Sequence, residues 1–171
     1  GYLVCGVKAG LPGFASEDEE GNWSGLDVDF CRAVSAAVFG DADKVEYLGL
    51  NAAQRFPTLA SGSIDILSRN TTWTISRDVN LMFEFAGVSY YDGQGFLVPT
   101  ELGITSARGL DGAFVCIASE TTSELNLNDY FAENNMAYRP IYVEGNKDAK
   151  AKLFAGECDV FTTDASGLAS A

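Results

Sequence analysis

The residues best suited to chemistry in this 171-residue chain lie in three polar stretches, each directly after a short apolar run. The first is Arg69-Asn70-Thr71-Thr72-Trp73-Thr74, running on to Arg77. Thr72 and Arg77 suit a carboxylate. A guanidinium makes two parallel charge-assisted hydrogen bonds to it and a hydroxyl adds a third, each worth roughly 1.5–3 kcal/mol. The same residues also suit a polar turn with its arginine in a surface ion pair. The second stretch is Ser119-Glu120-Thr121-Thr122-Ser123. Lying between a strand-like run and a helical one, it receives an anion on backbone N–H groups and hydroxyls, or Ser123 simply caps the helix. In the third, Thr162-Thr163-Asp164-Ala165-Ser166, Asp164 either pairs with a ligand ammonium or caps the helix that follows. Phe14, Trp73, Tyr90 and Tyr91 fall in loops, where an aromatic ring walls a pocket or joins the core. Phe14 is the strongest pocket candidate, because its loop directly follows the first strand.

Composition removes whole classes of chemistry. The chain has no histidine, which excludes Ser-His-Asp and Cys-His nucleophile systems and every His-ligated zinc or copper site. Asp27 and Asp29 lie two apart on a predicted helix and do not face each other. Asp92-Gly93-Gln94-Gly95 lacks the Lys-Ser/Thr of a phosphate loop and reads as a hinge turn. No catalytic set, metal site or cofactor is expected. With Lys and Arg totalling 11 and Asp and Glu 24, the formal charge is −13, which speaks against nucleic acid and anionic membranes as partners. No apolar run reaches the roughly 18 residues of a membrane span. No signal peptide is visible before the strand-like run Tyr2–Val7, so the chain reads as a processed or engineered form.

These candidates must be held by alternating strands and helices. Strands are predicted at 2–7, 45–50, 64–68, 83–86, 96–98, 114–118, 140–143 and 160–163. Helices are predicted at 24–39, around 56–60, and at 123–134 and 147–155. In the first helix Phe30, Ala33, Val34, Ala37 and Val38 recur at helical spacing. The alternation argues for parallel sheets covered on both faces. Leu59-Ala-Ser-Gly-Ser-Ile-Asp-Ile66 matches Leu153-Phe-Ala-Gly-Glu-Cys-Asp-Val160, and Val4-Cys5 matches Val115-Cys116. Two related α/β lobes are therefore expected, residues 1–95 and 96–171, with ligand chemistry just past the carboxyl ends of strands, in the crevice between them.

Cys5, Cys31, Cys116 and Cys158 form no CxxC pair. Of three possible pairings, Cys5–Cys31 with Cys116–Cys158 closes each bridge within one half of the chain. Such bridges imply an oxidising compartment; the other reading is four buried thiols.

Gly25-Leu-Asp-Val-Asp-Phe-Cys-Arg-Ala-Val34, Leu67-Ser-Arg-Asn-Thr-Thr-Trp-Thr74, Tyr90-Tyr-Asp-Gly-Gln-Gly-Phe96 and Thr162-Thr-Asp-Ala-Ser-Gly-Leu-Ala169 together resemble the periplasmic general L-amino-acid-binding proteins of ABC uptake transporters, within the family 3 solute-binding proteins. The resemblance covers nearly the whole chain. It implies a type II periplasmic-binding fold of two hinged α/β lobes closing over an amino acid, and no enzymatic activity. It implies that Thr72 and Arg77 hold the ligand carboxylate, that the Asn70 carbonyl and Asp164 receive the ammonium, that Phe14 lines the pocket, and that Thr121, Thr122 and Ser123 contact carboxylate or side chain. It also implies one disulfide per lobe, a periplasmic location and an ABC permease of the inner membrane as partner. Glu120 stands where relatives commonly have Gly, and Ala118 replaces a longer polar residue. Family members continue past position 171 to complete the second lobe and return to the first. A truncated receptor is therefore expected, with a second lobe and a return to the first that are incomplete. The alternatives are a remnant or a homodimer exchanging missing pieces, with impaired binding, or an enzyme resembling cyclohexadienyl dehydratases.

Overall fold

Leu3–Val7 forms strand β1, and its near-unbroken apolar character is that of a parallel strand covered on both sides. The computed structural model describes residues 1–170 and divides into two compact units. Unit 1 is Gly1–Ala9, Gly13–Leu50 and Arg55–Tyr91; unit 2 is Gly10–Pro12, Asn51–Gln54 and Asp92 onward.

In unit 1, β2 (Ser16–Glu17) and β3 (Trp23–Ser24) make a small antiparallel ribbon ahead of helix α1 (Leu26–Phe39). Strands β4 (Val45–Gly49) and β5 (Ile66–Leu67) flank β1 in parallel, in the order β4-β1-β5. Between them lies the short helix α2 (Arg55–Ala60), with Pro57 in its first turn as its missing N–H requires. The core gathers Leu3, Cys5, Val7, Ala15, Val28 and Cys31. The buried stripe of α1 is Asp27, Val28, Cys31 and Ser35, so the predicted stripe is off by part of a turn and leaves Phe30 and Val38 exposed. The Cys5–Cys31 disulfide fixes which face turns inward. No strand forms at 83–86; that segment runs as irregular chain, its rings stacked on others, Phe83 on Phe56 and Phe85 on Trp73.

Unit 2 has strands β6 (Gln94–Leu97), β7 (Phe114–Ile117), β8 (Arg139–Tyr142) and β9 (Val160–Asp164), in the order β6-β9-β7-β8. The last three are parallel; β6 runs antiparallel to β9, a departure from the all-parallel expectation. Helices α3 (Thr122–Glu133), α4 (Asn146–Phe154) and α5 (Ala165–Ala169) complete it. One core holds Val115, Ile117, Leu127, Phe131 and Val160; another holds Cys116, Val143, Ala149, Leu153, Cys158 and Phe161. Successive residues of β7 thus face different cores, and the sheet is covered on both sides. The Cys116–Cys158 disulfide ties β7 to the residue two before β9.

The Gly–Asp half of the sequence repeat is reproduced bond for bond, whereas the strand half is shifted by one residue: Cys5 lies opposite Ile66, and Val115, not Cys116, lies opposite Val160. Gly62 and Gly156, at φ 71° and 73°, end α2 and α4 in left-handed caps. Asp65 then accepts the Val4 N–H at 2.8 Å and donates its own N–H to the Val4 carbonyl at 2.8 Å. Asp159 does the same with Phe114, at 2.8 and 2.8 Å.

Candidate functional site

The carboxyl ends of β1 and β5 in unit 1, and of β7 and β9 in unit 2, carry the predicted residues. In unit 1, Ser68 is buried beyond β5 and donates its hydroxyl to the Asp27 carbonyl at 3.0 Å, tying the loop to the start of α1. Arg69 then donates from Nη1 to the Leu50 carbonyl at 3.1 Å and from Nη2 to Asn70 Oδ1 at 3.2 Å, which sets the orientation of Asn70. The chain turns through Thr71–Thr74 into a π-helical turn, Ser76–Asn80, whose first residues are Ser76 and Arg77. Such turns widen the helix by one residue and recur at functional sites.

Arg77 is only 8% exposed. Its Nη1 donates to the Thr72 carbonyl at 2.8 Å, and its Cζ lies 5.1 Å from the centre of the Phe56 ring. Arg55, also buried, lies 4.6 Å from the centre of the same ring and reaches Thr71 Oγ1 at 3.5 Å. One aromatic ring thus orients two guanidinium groups beside the polar loop. Thr72 itself is exposed. Three arginines are concentrated here, in a chain of charge −13.

Phe14 is half-buried, edge-to-face with Tyr90 at 5.0 Å. Its carbonyl accepts the Asp27 N–H at 2.9 Å and the Gly13 carbonyl accepts the Leu26 N–H at 3.0 Å, so the loop supplies acceptors for the first turn of α1. Gly25, at φ 124°, makes this approach feasible: a Cβ there would sit 2.4 Å from the Phe14 oxygen. Asp27 is buried, and its Oδ2 has no hydrogen-bond partner. Burial pushes its pKa up to about 6 from 3.8, with nearby Arg69 pulling the other way.

In unit 2 the hydroxyl-rich turn lies at the start of α3, and the cap is Thr121 rather than the expected Ser123. Thr121 Oγ1 accepts the Glu124 N–H at 3.2 Å and donates to the Ala118 carbonyl at 2.8 Å. Ser123 lies inside the first turn and is buried; Thr122 is half-buried. Glu124 Oε2 accepts the Glu120 N–H at 3.0 Å, one residue before the cap, while Tyr142 donates to Glu124 Oε1 at 3.0 Å. Glu120 holds φ 59°, a left-handed conformation that favours glycine. Asp164 ends β9 and makes no side-chain cap to α5. Asp92 takes that role: its Oδ1 accepts the Ser166 N–H at 3.2 Å and its Oδ2 accepts the Ser166 hydroxyl.

Unit 1 therefore brings Asn70, Thr72 and Arg77 onto one loop, with Phe14 beyond the neighbouring strand. Unit 2 sets Thr121–Ser123 and Asp164 at the ends of β7 and β9. Arg55, Arg69 and Phe56 escaped the sequence reading. Arg69 stood within a motif already singled out, whereas Arg55 and Phe56 come from a helix remote in sequence. A pocket of about 210 Å³ in unit 2, lined by Gly10, Pro12, Asn146, Lys147, Lys150 and Ser170, contains none of the predicted residues.

Unit 1 thus carries a guanidinium and hydroxyls after β5, and unit 2 carries a carboxylate at the end of β9 and a helix start after β7. Residues 3–164 match the model of the bacterial extracellular solute-binding proteins, family 3. The chain belongs to that family. This family 3 chain is 56% identical over 99% of its length to a general L-amino acid-binding periplasmic protein, AapJ, of Rhizobium johnstonii, covering 50% of that protein. It is 52% identical over 99% of its length to the glutamate/glutamine/aspartate/asparagine-binding protein BztA of Rhodobacter capsulatus, again covering 50% of it. The chain thus spans about half the length of these relatives. A solved ABC transporter periplasmic binding protein from Brucella ovis with glutathione bound superposes with TM-score 0.92 at 53% identity, over 98% of this chain and 53% of that one. The fold is the type II periplasmic-binding fold. No helix among the described residues is long and apolar enough to cross a membrane.

Proposed function

We propose that this chain carries the amino-acid-binding part of a periplasmic receptor for ABC-transporter uptake, with polar L-amino acids as ligands. The observation that carries the reading is Arg77: a buried guanidinium, oriented by the Thr72 carbonyl and the Phe56 ring, at the carboxyl end of a parallel sheet. A guanidinium held in a fixed orientation at the end of a strand suits the planar, bidentate geometry of a carboxylate. In this reading residues 1–95 and 96–171 are two hinged lobes. Arg77 and Thr72 take the ligand carboxylate and the Asn70 carbonyl takes the ammonium. Phe14 covers aliphatic ligand atoms, while Asp164 and Thr121–Ser123 close from the second lobe. The closed form is what an inner-membrane permease recognises, and the two disulfides suit the oxidising periplasm. The chain acts as a receptor without catalysis.

Calorimetry with L-glutamate, L-glutamine, L-aspartate and L-asparagine tests this, run beside their α-carboxamide and N-acetyl derivatives. The free amino acids are expected to bind, and removing either main-chain charge should abolish saturable binding. Equal affinity for the derivatives would contradict the zwitterion grip.

A second reading is favoured by exposed apolar side chains on unit 1, with Ile75 at 83% and Met82 at 86% exposure. Two copies covering one another would bury them. Sedimentation over a range of concentrations distinguishes a monomer from that homodimer.

A further inference from the structure

We infer that Gln94, together with Asp92, is a positioning residue that holds both ligand-facing segments of unit 2 in place; this rests on the receptor reading above. Gln94 stands opposite Asp164 in the β6–β9 ladder. Its Nε2 donates to the Ser123 carbonyl at 3.0 Å and to Thr162 Oγ1 at 3.0 Å, and its Oε1 accepts from Asn126 Nδ2 at 3.2 Å. The amide orientation is dictated by chemistry: a carbonyl can only accept, so the NH2 must face Ser123. Thr162 is buried and gives its own proton to the Gly95 carbonyl at 2.8 Å, leaving a lone pair for Gln94. Gln94 thereby fastens the first turn of α3, which carries Thr122 and Ser123, to β9, which ends at Asp164.

Asp92 secures the other side of the same strand end. The Ala165 N–H donates to the Gly93 carbonyl at 2.7 Å, and the Ser166 N–H and hydroxyl both go to Asp92. Asp164 lies between residues paired in the ladder and residues bonded to Asp92 and Gly93. Its own carboxylate makes no cap to α5. Polar networks of this kind are costly when partly broken, which suits a device that fixes an orientation. In the sequence this stretch reads only as a hinge turn.

The test compares the parent chain with Gln94→Met, which keeps the length and removes the hydrogen bonds, and with Gln94→Glu. L-Glutamine affinity is measured by calorimetry from about pH 7.5 to about pH 5, with thermal melting and amide exchange at 121–126 and 164–167. Gln94→Met should weaken binding roughly tenfold or more and speed exchange at both segments while the protein still melts cooperatively. Gln94→Glu should bind poorly at neutral pH and recover relative to the parent as the introduced carboxyl protonates and regains a donor. Affinities within about twofold of the parent at every pH would overturn the inference and leave the receptor reading intact. So would a loss in both variants that does not vary with pH, since that is general destabilisation. If the parent binds nothing, the receptor reading fails, and the exchange data alone decide the inference: faster exchange supports it and unchanged exchange overturns it.

Discussion

Arg77 donates to the main-chain carbonyl of Thr72 at 2.8 Å, so the two residues assigned to one carboxylate are themselves joined before any ligand arrives. One arm of the guanidinium is committed to the loop, and its plane is set by that bond and by the Phe56 ring. Lysine has neither the fork nor the planar face. Arg77→Lys should therefore lose affinity by roughly ten- to a hundredfold while keeping the charge, read by calorimetry. A lysine variant that binds as well as the parent would mean that charge alone matters there.

Phe56 orients Arg77 and Arg55 together. Phe56→Leu retains apolar volume but removes the ring, and should weaken ligand binding by roughly three- to tenfold. The same change in Phe85, which stacks on Trp73, is the control and should leave affinity unchanged.

Asp27 gives a stability effect with a definite sign. Its folded pKa, about 6, lies above 3.8, so between those values the folded chain holds more protons than the unfolded one. The favourable contribution is fully present below about pH 4 and is lost as pH rises through 6. At pH 7 the ionised, buried carboxylate opposes folding. Asp27→Asn should accordingly stabilise by on the order of 1–3 kcal/mol at pH 7, an advantage that vanishes near pH 4. Urea titrations at the two pH values check this; a variant that is less stable at both contradicts it.

Gly25→Ala should destabilise by roughly 2–4 kcal/mol, because its Cβ would meet the Phe14 carbonyl and φ 124° suits no other residue. Thermal unfolding reads this, and Gly13→Ala is the comparison: it shares a positive φ but has open space around it.

The parts legible in sequence were those determined by local chemistry. The motif ending in Asp65 and Asp159 announced two equivalent units, because a left-handed Gly followed by an Asp that caps a strand N–H is a short-range device. The cysteine pairings, which span 26 and 42 residues, were legible only because each closes within one half of the chain. The rest depended on partners distant in sequence. Phe83–Ala86 has strand-like composition but its rings stack on Phe56 and Trp73 instead of entering a sheet. The stripe on α1 follows the disulfide rather than the mean apolar direction. Thr121 rather than Ser123 caps α3 because it is the last extended residue, φ −115° and ψ 156°, before the helix begins at Thr122. Asp164 is spared from capping by Asp92, more than seventy residues earlier. Arg55 enters the site region only through tertiary packing.

The most direct measurement is calorimetric titration of L-glutamine into the chain and into its Arg77→Ala variant at neutral pH. The account predicts saturable 1:1 binding to the parent and a loss of about 2–5 kcal/mol in the variant, with the melting temperature nearly preserved. Equal affinity in the two proteins would contradict it.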